Sequence, residues 1–154
     1  MFSRIFLIIS FSIILLFSCA KKEEVYVPEV KVDPYKVYEE AYEAFNKGDY
    51  FFAQKKFSKA ELNFDVVEYA AKSSIMASYC LYGINFYVES LESIKRYLKK
   101  YPADKNVIYA HYLIALIHFE QITDEKKDME PVLKAKEKID FFLNEFPDSD
   151  YAID

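Results

Sequence analysis

Two histidines, two cysteines and a dense set of carboxylates are the residues of this 154-residue chain best equipped for chemistry. His111 and His118 stand seven apart, an interval that returns a side chain to the same face of a helix, so two imidazoles could serve one metal or one proton transfer. The neighbours that such work needs are missing. There is no HExxH spacing and no cysteine close in sequence to complete a zinc site, so both histidines read as packing or capping residues. Cys80 sits inside a helical run and reads as a small buried apolar residue. Two isolated glycines cannot form a phosphate-cradling loop, and Glu39, Glu40 and Glu43 read as the solvated face of an amphipathic helix. The expectation is a non-enzymatic protein with no catalytic residues, no metal and no cofactor.

The elements that carry these residues are helices. With 53% hydrophobic residues the chain can bury one packed domain, while two glycines and five prolines are too few for the frequent turns of an all-β design. Residues 1–18 hold one cation, Arg4, then an apolar run to Phe17 and a small residue, Ser18: the regions of a secretory signal. The run is shorter than the roughly 20 residues that a membrane-spanning helix needs. Leu16-Phe17-Ser18-Cys19 resembles a bacterial lipobox, which implies that Cys19 is acylated and becomes the first residue of the mature protein. In lipoproteins of that kind Asp after the cysteine commonly signals inner-membrane retention. Ala20 stands here, so the outer membrane is expected, with the protein facing the periplasm. Loss of Arg4 with the signal takes the net charge from −5 to −6, which makes nucleic acid an unsuitable partner. Residues 19–32 mix charges with Pro28 and read as a lipidated tether.

From residue 33 onward the pattern repeats. Asp33-Pro34 is a helix start, Gly48 a helix stop and Asp49-Tyr50 a second start, which predicts a hairpin of helices over 34–65. A step of 37 residues carries Ala41 to Ser78 and then to Ala115, and Tyr42 to Tyr79 and then to Leu116. The same step relates Tyr38, Ile75 and Tyr112, relates Phe45, Tyr82 and Phe119, and pairs Tyr35 with Tyr109 around Lys72. In the second helices, Ala53 and Phe57 become Ser90 and Ile94 at 37, then Ala135 and Ile139 at 45. Eight extra residues, 123–130, therefore separate the helices of the third pair. An extension of that kind costs little closure entropy, so stability does not account for it, and a contact surface is expected there. Three pairs are predicted, at about 34–65, 66–102 and 106–147, with the start of a fourth at 149–154. Repetition at this period is the mark of an all-α solenoid of antiparallel helix pairs.

The first hairpin resembles a tetratricopeptide repeat, with Ala41, Gly48, Tyr50, Ala53, Phe57 and Ala60 on small and aromatic marker positions. Val37, Ser74 and His111 replace the early Trp, and Asp65 replaces the helix-end Pro of the first copy. In such a solenoid the first helix of each pair lines the concave groove. That would bring Tyr35, Tyr38, Tyr42, Phe45, Tyr79, Tyr82, Tyr109, Tyr112 and Phe119 to a partner-binding surface, for which tyrosine is well suited. Packing of the same rings between adjacent repeats is the other reading, and both stand at this point.

YAHYLIALIHFEQITDEKKD followed by KAKEKIDFFLNEFPDSDYA resembles the third repeat of the BamD family, lipoproteins of the outer-membrane β-barrel assembly machine, and RYLKKYPADKNVIYAHY resembles the end of the second. The resemblance implies a five-repeat scaffold whose later repeats dock on the barrel-forming assembly subunit, with other assembly lipoproteins nearby. It links the N-terminal repeats to unfolded outer-membrane protein precursors. It also implies that this chain is the N-terminal part of a longer protein. The alternative is a periplasmic tetratricopeptide adaptor lipoprotein that coordinates cell-wall or envelope enzymes.

Overall fold

The computed structural model describes residues 32–122 and 128–153. Among them there are six α-helices, one 3-10 turn and no strand. The expected signal, Cys19 and nearly all of the tether lie outside the described residues, as do positions 123–127 of the long connection.

Local chemistry sets the helix boundaries. The Asp33 carboxylate accepts hydrogen bonds from the amides of Tyr35 at 3.0 Å and Lys36 at 3.4 Å, and Pro34 has no amide to satisfy, so α1 (Pro34–Asn46) starts there. It ends where Gly48 enters the left-handed region at φ 76°, with the amides of Gly48 and Asp49 donating to the carbonyls of Phe45 and Ala44, each at 3.0 Å. Asp49 then accepts from the amide of Phe52 at 3.1 Å and opens α2 (Tyr50–Asn63).

The second pair, α3 (Val67–Gly83) and α4 (Tyr87–Lys100), turns in the same way with another residue. Asn85, 37 positions after Gly48, has φ 61°, and the amides of Asn85 and Phe86 donate to Tyr82 and Leu81 at 2.8 and 2.9 Å. Asparagine is among the few non-glycine residues that tolerate this conformation. Past the end of α5 (Val107–Glu120) the next equivalent position is Ile122, whose amide donates to Phe119 at 3.1 Å. A β-branched residue is strained in the left-handed region, and Asn85 is the one non-glycine residue with positive φ among the described residues. The tight turn is therefore closed to the third pair, and a longer connection leads to α6 (Glu130–Glu145). Ser149 caps a single 3-10 turn, Asp150–Ala152, where the sequence predicts the opening of a fourth pair.

Neighbouring helices pack on one another in chain order. The α1/α2 and α2/α3 contacts are the most extensive and the α4/α5 contact the sparsest. One core cluster joins Ala41, Ala44, Ala53 and Phe57 to Ala77 and Cys80 of α3, and the other joins Ala71, Ile75, Ile94 and Tyr97 to Ala110, Leu113 and Ile117 of α5. The small-residue columns sit at the close approaches: Ala41, Ser78 and Ala115 are all buried, as are Ala53, Ser90 and Ala135. In the second pair the two column residues, Ser78 and Ser90, are polar but satisfied. The Ser90 hydroxyl donates to the Ser78 carbonyl at 2.9 Å, and the Ser78 hydroxyl lies 2.8 Å from that of Ser93. Gly83 is a close approach of a different kind, since a Cβ there would meet the Tyr50 ring at 2.8 Å. Glu61 of α2 is buried and holds the far end of α4, accepting from the Tyr101 hydroxyl and from Lys100, each at 3.0 Å, and pairing with Arg96 at 3.2 Å.

Candidate functional site

The aromatic residues of the first helices arise at helical spacing, three and four apart, so within each helix their rings fall along one side. In α1, Tyr42 stacks on Tyr38 and on Phe45, at ring-centroid distances of 6.5 and 6.2 Å. Phe45 reaches Tyr79 of α3 at 5.6 Å, and Tyr79 reaches Tyr82 at 5.9 Å. In α5, Tyr109 and Tyr112 are 6.2 Å apart. Burial raises the pKa of Tyr79, Tyr82 and Tyr109, and the Tyr109 phenol lies within electrostatic reach of Tyr79 and Tyr82 across the α3/α5 boundary. These phenols are neutral at any physiological pH and act as hydrogen-bonding, contact-making groups.

The nine aromatic residues expected at a partner surface divide into two sets. Tyr38, Phe45, Tyr79, Tyr82, Tyr109 and Tyr112 are half-buried and pack against neighbouring helices. Tyr35, Tyr42 and Phe119 are open to solvent, at 54%, 48% and 56%. Rings outside the first-helix columns join the set. Phe64, just past the end of α2, contacts Tyr35 at 5.0 Å and Tyr38 at 6.2 Å, and Tyr151 of the 3-10 turn stacks on Tyr112 at 4.9 Å. Phe64 stands in register with Tyr101 and Phe146, 37 and then 45 residues further on, whereas Tyr151 lies where a helix has barely begun.

Two hollows open on these residues. One, of about 260 Å³, lies between α1, α3 and α5 and is lined by Phe45, Ile75, Tyr79, Tyr109 and Tyr151, with Lys72 as its one cation. The other, of about 470 Å³, lies along α5 and α6 and is lined by Tyr112, Leu116, Phe119, Ile139 and Phe142 with Tyr151.

The residues that could have done chemistry are placed in packing roles. His111 lies against Phe141 and Phe146, at 5.3 and 5.4 Å, and His118 is buried; burial lowers the pKa of both. Cys80 is fully buried, and burial pushes its thiol up to about 12, which leaves almost no thiolate to react. No group of three or more His, Cys, Asp or Glu able to hold a metal occurs among the described residues.

Three helix pairs in one register, with small residues at each close approach, define a tetratricopeptide-like helical repeat protein. The YfiO family model, described as outer membrane lipoprotein, matches residues 30–154, and the chain belongs to that family. It is 27% identical over 118 residues to the outer membrane protein assembly factor BamD of Caulobacter vibrioides, which covers 77% of this chain and 39% of that protein. It is 26% identical over 117 residues to BamD of Rickettsia prowazekii, covering 71% of this chain and 47% of the relative. For BamD of Neisseria gonorrhoeae the identity is 26% over 129 residues, covering 77% and 48%. The chain thus spans half or less of the length of these curated relatives.

Proposed function

We propose that this chain is part of a lipid-anchored scaffold for the assembly of outer-membrane β-barrel proteins, with acylated Cys19 holding it at the membrane and the repeats facing the periplasm. Its membership of an outer membrane lipoprotein family, with relatives named as assembly factors, is the observation that carries this reading. The contribution is non-covalent. Precursors engage the first-helix face, and the barrel-forming subunit and other assembly lipoproteins engage the scaffold elsewhere. Exposed Tyr42 and Phe119 offer apolar area with little ordering cost, while the half-buried rings behind them hold that surface in shape.

The division between exposed and packed rings selects the test. Tyr42→Ala with Phe119→Ala should weaken binding of an unfolded barrel precursor several-fold in a pull-down while thermal stability stays near wild type. Tyr38→Ala should lower stability as well, because its ring lies on Phe57 at 5.3 Å and on Phe64. Undiminished binding by the first variant would remove the first-helix face from the proposal. Loss of fatty-acid labelling on Cys19→Ser tests the anchor separately.

A further inference from the structure

The outward face of α2 differs in charge from the rest of this acidic chain. Ala53, Phe57, Ala60 and Glu61 form its buried side. The opposite arc holds Phe51, Phe52 and Leu62, exposed at 54%, 43% and 77%, together with Lys55, Lys56 and Lys59. Glu61 is the only carboxylate of this helix, and it is turned inward to Arg96, Lys100 and Tyr101. The solvent side is left with lysines, large apolar residues and the neutral Gln54, Ser58 and Asn63, and no acid. Of these lysines, among the described residues only Lys56 forms an ion pair, with Glu40 of α1. The other two second helices act as an internal control. Lys55 corresponds to Glu92 of α4 and Glu137 of α6, and Phe52 corresponds to Glu89. Their outer faces are mixed in sign, as a merely solvated helix face should be.

The side-chain geometry has the same direction. Lys55 Nζ lies 4.2 Å from the centroid of the Phe51 ring and Lys56 Nζ 5.1 Å from that of Phe52. Each ammonium thus sits beside an exposed ring one turn away, with its aliphatic stem along the apolar surface. Rings that enter an interface while their cations stay at headgroup level need this arrangement. We propose that the outward face of α2 is a peripheral membrane contact, in which Phe51 and Phe52 enter the interface and the lysines meet anionic phospholipid headgroups. The proposal does not require acylation of Cys19, and it would add a second point of attachment to a single anchor.

The test uses the full chain carrying Cys19→Ser and flotation with vesicles of phosphatidylethanolamine and phosphatidylglycerol, or of phosphatidylethanolamine and neutral phosphatidylcholine. The apolar residues 1–18 are common to all variants, so only differences between variants are read. Lys55→Gln and Lys59→Gln should each weaken partition onto the anionic vesicles by about fivefold, from the roughly 1 kcal/mol that one lysine contributes near such a surface. Phe51→Ser with Phe52→Ser should weaken it as well. Lys134→Gln and Lys136→Gln on α6, each the same change in net charge, should leave it unaltered, and circular dichroism should be unchanged throughout. Equal losses for the α2 and α6 lysines, or identical partition onto neutral vesicles, would overturn the proposal. So would loss on the lysine changes with none on the phenylalanine changes, which would assign the face to an acidic protein instead.

Discussion

Glu61 stands where the second and third pairs carry Leu98 and Leu143, and it is buried against Arg96, Lys100 and Tyr101, which lie 35 to 40 residues further along the chain. Taking one partner from a buried ion pair costs more than the pair contributes, because the remaining groups have been desolvated for nothing. Arg96 and Lys100 are half exposed and can recover water, but the Tyr101 hydroxyl cannot. Glu61→Ala should therefore destabilise the chain by about 3 kcal/mol in urea denaturation. Glu61→Leu, the residue of the other two pairs, should cost less. The histidines make a second residue-scale prediction. Burial holds both below the ordinary 6.5, so the unfolded chain binds more protons than the folded one as pH falls through that value. Stability should decline between pH 7.5 and 5, and His111→Gln with His118→Gln should flatten that decline in thermal melts. Asp104 acts in another window. Burial opposes its ionisation, but hydrogen bonds from Tyr97 and Asn106 outweigh that and hold it below 3.8, so its contribution is lost only in stronger acid.

At the scale of the element, the turn inside each pair decides the connection that follows. Gly48 and Asn85 take the left-handed conformation at equivalent positions, and Ile122 does not. Asn85→Gly should be nearly neutral in chemical denaturation. Asn85→Val should cost about 1–2 kcal/mol, the strain of placing a β-branched residue at positive φ. The helix bounds that follow from Asp33-Pro34, Gly48 and Asp49 agree with the structure because caps and stops act within a turn or two of the residue concerned. No such local signal marks Phe64 or Tyr151 as members of the aromatic set. Their rings reach Tyr38 and Tyr112 only because a neighbouring helix or turn is brought alongside.

For the molecule as a whole, a chain in which helices contact mainly their neighbours should open from its weaker junctions. The α1/α2/α3 contacts are extensive and α4/α5 the sparsest, so native-state hydrogen exchange should show the highest protection in α2 and α3 and the lowest in α6. Uniform protection would instead mean a single cooperative unit. The amino-acid sequence by itself determined the all-α class, the 37-residue register and the lengthened third pair, because period, small-residue spacing and turn chemistry are properties of neighbouring positions along the chain, and the family was legible in the resemblance of the third-repeat stretch. Tertiary structure alone decided which of nine equivalent-looking aromatic residues remain open, since exposure depends on what another helix covers. It also turned Glu61 inward, against the expectation for a charged residue on an amphipathic helix. The three groups that satisfy its carboxylate are assembled only when the end of α4 packs on α2, and that inward turn leaves the outer side of α2 without an acid.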